Sequence, residues 1–265
     1  MSDKSLEDQF KDTDIPTWAK EACMIIYKGN SLLDGVTPLV VIAIAGSKNS
    51  KTGDMVQTYI LLDEIEPLTA SKIGADYAIC GDCRHRGTPT QDSERKTAKG
   101  RTCYVTLAHG PKAVYKAYRS GNYKRVVPAD VWKVGAGRFV RLGTYGDPAA
   151  VPVHIWHKLL SASLGHTAYS HQDKHFDADI YMRSADSRSD AYAAAAAGQR
   201  SYRVISQRDY KSGRDALIDG LEILCPASVE AGRRTTCIEC LLCSGAGSAG
   251  KSIAIVAHGS SGGGV

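Results

Sequence analysis

No stretch of the 265 residues is apolar for long enough to cross a bilayer: the longest apolar run, Pro38-Leu-Val-Val-Ile-Ala-Ile-Ala45, is far short of the roughly 18 residues a spanning helix needs. The first residues, Met1-Ser-Asp-Lys-Ser-Leu-Glu-Asp8, contain no apolar core of a signal or transit peptide, so a cytoplasmic location and no membrane partner are expected. Also absent are a phosphate-binding P-loop, the glycine fingerprint of a dinucleotide fold, the HxE…PCxxC deaminase signature and a G-x-S-x-G nucleophile elbow. No internal repeat is visible. Charge of one sign is in short supply too: 33 Lys and Arg stand against 28 Asp and Glu, a net charge of +5. That balance makes an anionic partner only slightly favoured.

What is present is the composition of an ordinary folded chain, 43% apolar and 23% charged, which excludes bulk disorder. A chain of this length buries about 70–75% of its unfolded surface, so residues 1–265 are read as a single domain. Within it, 1–13 are frayed, 14–65 hold a helix and a hairpin, 66–258 form the core with its metal sites, and the glycine-rich 259–265 form a flexible tail. The spacing of Trp18, Cys23, Ile26 and Tyr27 predicts an amphipathic helix over Pro16–Tyr27, with Cys23 buried on its apolar face. Leu39–Ala45 and Met55–Leu62 read as a β-hairpin around a basic loop that exposes Lys48 and Lys51.

Eight further runs read as strands: Asp76–Cys80, Cys103–Ala108, Phe139–Gly143, His166–Ser170, Asp179–Arg183, Ser201–Ser206, Leu221–Cys225 and Ser252–Ala257. Helices are expected at 111–118, 149–164 and 187–197, the last closed by Gly198. Strands alternating with helices predict an α/β fold with a parallel sheet, specifically a (β/α)8-like or degenerate barrel. A cysteine-rich, metal-binding insertion interrupts it.

Eight cysteines without a secretory context read as ligands rather than disulfides. Cys237-Ile-Glu-Cys-Leu-Leu-Cys243 brings three thiolates within reach of one ion. Either Cys225 or His258 can supply the fourth ligand of a tetrahedral zinc site. Cys80-Gly-Asp-Cys83 and Cys103 form a second set, completed by His85 or Cys225. If Cys225 joins the second set, two four-ligand sites account for every cysteine but Cys23. One or two zinc ions per chain are expected, with an iron–sulfur cluster as the alternative, because four thiolates suit either. The CxxxCxxC spacing of radical enzymes is absent.

The runs Ser47–Thr58, Ile79–Arg86, Thr102–Val105, Tyr145–Pro148 and Cys225–Ser228 with its CxxCxxC resemble a family of uncharacterised bacteriophage proteins, over most of the chain. That likeness implies no activity; it places the protein in the cytoplasm of a phage host. A second resemblance, carried by the CxxCxxC, the later His258 and the barrel pattern, is to the guanine transglycosylases that exchange a base in tRNA or DNA for a 7-deazaguanine. Their Asp-Ser-Gly-Gly substrate run has no counterpart here. The resemblance implies a zinc on Cys237, Cys240, Cys243 and His258, and base exchange on nucleic acid, with DNA the expected partner and a modified-base precursor as co-substrate.

Base exchange needs one carboxylate as nucleophile and another to handle a proton or recognise the base. Asp147 and Asp186, at the carboxyl ends of predicted strands, are the candidate pair, although Gly-Asp-Pro is also a turn former and Asp186-Ser187 a helix cap. Tyr145, Tyr169, His171 and Gln172 are candidate base-binding groups. The pairs His171/His175 and His154/His157 have helical spacing but no acidic partner motif. Arg84, Arg86, Arg95, Lys96, Lys99 and Arg101, and further on Lys112, Lys116, Arg119, Lys124 and Arg125 interleaved with Tyr115, Tyr118 and Tyr123, form basic patches suited to phosphate contacts and base stacking. The readings are therefore a zinc enzyme modifying nucleic acid, a non-catalytic metal-stabilised nucleic-acid-binding protein, or an iron–sulfur redox protein.

Overall fold

The computed structural model describes residues 23–46, 52–232, 234–247 and 250–257. The expectations for 1–13, Lys48, Lys51, His258 and the tail 259–265 lie outside the described residues. Three strands, β1 (Met24–Asn30), β2 (Pro38–Ile44) and β3 (Val56–Leu62), form an antiparallel meander. The predicted hairpin is β2–β3, with Leu39 opposite Leu62 and Ile44 opposite Gln57. The helix predicted over Pro16–Tyr27 is corrected from Met24 onward. Ile25 and Tyr27 pair with Ile42 and Val41, because β-branched and aromatic side chains facing a complete partner strand outweigh a short helical periodicity. Cys23 is half-buried just ahead of β1.

Beyond β3 every strand pairing among the described residues is parallel. β5 (Phe139–Tyr145) lies beside β3 and β6 (Gly165–Thr167) beside β5. Ala168 then carries the chain into a second sheet, where β7 (Tyr169–Ser170), β8 (Met182–Ala185), β9 (Ser201–Ile205), β11 (Ser252–Val256) and β10 (Glu222–Leu224) follow in spatial order. Met182 N donates to Ala168 O at 3.0 Å, so the two sheets share that link. The short β4 (Lys124–Arg125) lies parallel to β1 and edges the first sheet.

The fold class is α/β with parallel sheets, as the strand–helix alternation predicts. Closure is not seen: among the described residues β4 and β10 end the two sheets without pairing to each other. Two of the predicted strands are corrected. Asp76–Cys80 is the short helix α2 (Tyr77–Cys80), which follows α1 (Pro67–Ile73), and Cys103–Ala108 is loop. Such short apolar runs carry no period that separates helix from strand.

The remaining helices are α3 (Gly110–Arg119), α4 (Val131–Gly135), α5 (Val153–Leu160), α6 (Arg188–Ala196), α7 (Gln207–Lys211) and α8 (Cys237–Cys240). α5 buries Ile155, Trp156 and Leu159 on one face, and the Trp156 indole donates to Pro148 O at 2.8 Å. α6 starts where the Ser187 hydroxyl accepts from Asp190 N and stops at Gly198, whose φ of 69° suits glycine. No helix among the described residues is long and apolar enough to cross a membrane.

Candidate metal centre and its cavity

The carboxyl ends of β7 and β8 carry His171 and Asp186 to one point, and the loop after α2 brings His85 to meet them. The Asp186 carboxylate lies 3.1 Å from His85 Nε2 and 3.3 Å from His171 Nε2. The other nitrogen of His85 is 2.9 Å from Thr102 Oγ1, which fixes the ring. Burial opposes charge on Asp186, but hydrogen bonds from His171 and His85 prevail and hold its carboxyl far below the usual range. Burial likewise opposes a charged His171, yet Asp186 and Cys83 raise its pKa well above the ordinary imidazole value. Among the described residues, these three form the set whose ligand atoms all lie within 4.8 Å of one another. Tetrahedral zinc with nitrogen and oxygen ligands at about 2.0–2.1 Å requires ligand separations of about 3.4 Å, close to those found. Cys83 Sγ stands 3.8 Å from His171 Nε2.

Behind this triad a network of buried groups sets the turn that carries Cys80 and Cys83. Gly81 has φ 52°, and a Cβ there would come within 2.2 Å of Gln172 Oε1, so only glycine fits. Gln172 accepts from Asp82 N and donates to Cys80 O. Arg86 binds Asp76 at 2.6 Å and also donates to Gly81 O and Gly74 O. Burial, with added repulsion from Asp76, Cys83 and Cys103, pushes the Cys80 thiol well up, and burial raises Cys103.

A second set lies across the cavity. Thr236 and Glu239 cap α8 reciprocally, and that single turn puts Cys237 and Cys240 on one face. Leu241, at φ 47°, reverses the chain so that Cys243 returns toward the sheet, where its carbonyl accepts from Ala168 N. Burial pushes the Cys243 thiol up to about 12, a Tyr169 hydrogen bond opposes this, and Cys225, Cys237 and Cys240 add to it by charge repulsion. Cys225, just beyond β10, is thus placed beside the CxxCxxC run, while His258 lies outside the described residues. Cys225 therefore lies with Cys237, Cys240 and Cys243, and Cys80 with Cys83 and Cys103. None of the eight cysteines is in a disulfide.

Both sets open on one cavity of ≈ 300 Å³. Its wall includes Arg141 of β5, Tyr169 of β7 and Tyr202 of β9. The Arg141 guanidinium lies 5.4 Å from the Tyr169 ring centre, and the two tyrosine rings are 4.3 Å apart. Burial works against the Arg141 charge, but Tyr169, Cys237 and Tyr202 outweigh it.

The expected site residues divide accordingly. Asp186, His171 and Tyr169 face the cavity, as do Cys83, Cys103, Cys225, Cys237, Cys240 and Cys243. Asp147 does not: its carboxylate accepts from Ala149 N, Ser170 Oγ, His171 N and Gln172 Nε2. With both oxygens engaged it staples the strand ends and has no lone pair directed at a substrate. Tyr145 and Gln172 are corrected as well, since Tyr145 belongs to the apolar core and Gln172 holds the Cys80 turn. Of the basic residues, Arg86 and Arg101 are consumed internally, Arg101 donating to Cys103 O and Val105 O. Arg84, Arg95, Lys96 and Lys99 are exposed on the loop, and Lys124 and Arg125 on the distant edge strand. His157 pairs with Asp177 at 3.0 Å, while His154 and His175 are exposed.

Arg141, Tyr202 and the joining of His85 to His171 and Asp186 were not anticipated. Arg141 had a signal in the sequence, a lone cation inside an otherwise apolar strand, which buried strands rarely carry without a task. No protein-family model matches the chain, and no curated protein or solved structure matches it.

Proposed function

We propose that the protein is a zinc-dependent enzyme that modifies nucleic acid, with its catalytic metal on His85, His171 and Asp186 and its substrate in the adjoining cavity. The observation that carries this reading is that the loop bearing Arg95, Lys96 and Lys99, with Arg84 just ahead of it, begins at His85 of the triad and returns beside it. His85 and Thr102, at its two ends, are hydrogen-bonded to each other at 2.9 Å. A phosphate backbone docked on those cations would present a nucleotide to the cavity. Three protein ligands with space beside them is the arrangement of catalytic rather than structural zinc. A zinc ion there would supply Lewis acidity and lower the pKa of a bound water. The chain's own groups hold it in place: Thr102 orients His85, and Asp147, accepting from His171 N, fixes the backbone that carries His171. Base exchange, the most specific form of the reading, would need a nucleophilic carboxylate other than Asp186, which would hold the metal, and other than Asp147, which is engaged by four donors.

The test is metal content together with transfer of radiolabelled guanine into DNA and tRNA. Asp186→Asn and His171→Ala should each lower metal affinity at least about 10–100-fold and remove turnover while leaving the circular dichroism unchanged. Replacing Arg95, Lys96 and Lys99 by alanine should weaken nucleic-acid binding and reduce its salt dependence without loss of metal. A protein that keeps its full metal content in both triad variants would not be the enzyme described here. The non-catalytic reading would gain if only the loop variant had an effect.

A further inference from the structure

We infer that Cys225, Cys237, Cys240 and Cys243 hold a [4Fe–4S] cluster rather than a single zinc ion. The inference rests on the reading above only in treating these thiols as metal ligands; it needs neither the triad nor the activity.

Three observations carry it. The first is the ligand pattern. Clusters of the bacterial ferredoxin type take three cysteines from a C-x2-C-x2-C run and a fourth from a remote cysteine followed by proline. Here the run is Cys237, Cys240 and Cys243, and the remote residue is Cys225, followed by Pro226.

The second is spacing. A single zinc with Zn–S bonds of about 2.3 Å draws its sulfurs to about 3.8 Å from one another. Among the described residues the one set of ligand atoms all within 4.8 Å is His85, His171 and Asp186, so no three of the four sulfurs are that close. All four nevertheless line the same cavity. In a cubane each cysteine binds a different iron, so its sulfurs stand farther apart than on a single zinc. The two centres therefore differ in kind, one drawn in to the scale of a single ion and the other open around space.

The third is the surrounding wall. The cavity of ≈ 300 Å³ begins at these sulfurs. Arg141, a cation with no carboxylate within 4.0 Å among the described residues, lines it together with Tyr169, Cys237 and Cys243, its guanidinium 5.4 Å from the Tyr169 ring centre. Four thiolates around a cluster are an anionic unit. A half-buried guanidinium on the same cavity wall would offset that charge, and cations and hydrogen-bond donors around a cluster tune its potential.

The experiment is to purify the full chain without oxygen or a metal-binding tag, reconstitute it with ferric iron, a thiol reductant and sulfide, and measure iron, sulfide, colour and Mössbauer spectra. About four iron and four sulfide per chain are expected, with a brown chromophore that Cys225→Ser and Cys240→Ser each abolish and that His171→Ala and Asp186→Asn retain. Arg141→Met should keep the iron but lower the reduction potential, since a cation near the cluster favours the added electron. A colourless protein whose zinc is lost in Cys240→Ser overturns the cluster while leaving the proposed enzyme intact. Iron lost only on changing His171 or Asp186 also overturns it. Should the serine variants prove insoluble, Mössbauer spectra of the wild-type protein decide, because a cubane and a mononuclear iron on histidine and carboxylate have distinct signals.

Discussion

Around the meander and β5, the interior is filled by Leu39, Ile42, Leu61, Leu142, Trp156 and Leu159, all essentially without solvent exposure. Between β7 and β11 the corresponding space holds a cavity, four thiols, two tyrosines and an arginine, with an apolar cluster of only Met182, Cys225, Ala227, Ile253 and Ile255. The first region satisfies itself by close packing, which is worth about 25 cal/mol per Å² of apolar surface buried. The second sets its thiols, its tyrosines and its arginine around open space instead. Packing thus supplies the stability of the first region, whereas the second, on the proposed reading, would draw part of its own from a bound metal.

The largest effect should follow metal removal. Binding to thiolate sites contributes folding free energy directly, about 10 kcal/mol or more in small zinc domains. Stripping metal with a chelator should therefore lower hydrogen-exchange protection in β9, β10 and β11 by several orders of magnitude while β2 and β3 keep theirs. Equal loss in both sheets would break the comparison.

Next comes the one strong polar anchor of the second region. Arg203 is fully buried, with Nε 2.7 Å from Glu222 and a second guanidinium nitrogen 2.7 Å from Asp215. Arg203→Met leaves the Glu222 charge buried without its partner and should cost about 3–5 kcal/mol. Adding Glu222→Leu should restore most of that in urea denaturation, because the uncompensated charge is then gone.

The packing difference itself is sharpened by a matched pair of truncations. Leu142→Ala opens a void in a closed core and should cost about 2–5 kcal/mol. Ile255→Ala faces space that already exists and should fall at or below the low end of that range, measured on metal-loaded protein. Equal costs would mean that the cavity is closed in solution.

The same division explains how much could be read from the sequence. The β2–β3 hairpin, α6 with its Gly198 stop, β9 and β11 are legible because local pattern and turn chemistry agree with the final fold. Cys237, Cys240 and Cys243 are legible because their spacing fixes their proximity. The triad is not: His85, His171 and Asp186 come from separate segments and meet only through the parallel pairing of β7 and β8 and the loop that α2 launches. Each residue carried its own signal, but nothing in their separation along the chain implied that they meet. Asp147 fails as a nucleophile for a related reason, since its four hydrogen-bond donors include Ser170, His171 and Gln172, some 23–25 residues away. A turn-forming aspartate and a catalytic one look alike until those donors are placed.

The smallest predicted effect belongs to the first region and titrates with pH. Asp63, just beyond β3, accepts from the Tyr118 hydroxyl and pairs with Lys28 at 3.0 Å. Burial opposes its ionisation, but the Tyr118 and Lys28 interactions prevail and its pKa is lowered. A carboxylate whose folded pKa lies below its unfolded value contributes stability that is present above the unfolded value, about 3.9, and is lost as pH falls through the folded one. Wild type should therefore exceed Asp63→Asn in stability at neutral pH, and the gap should close on acidification below about pH 4. Because the pair is partly solvated the gap should be small, and salt should shrink it further. Denaturant midpoints of the two proteins, taken across that range at low and high salt, measure it; a gap that widens toward acid would reverse the sign argued here and remove Asp63 from the interactions that stabilise the meander.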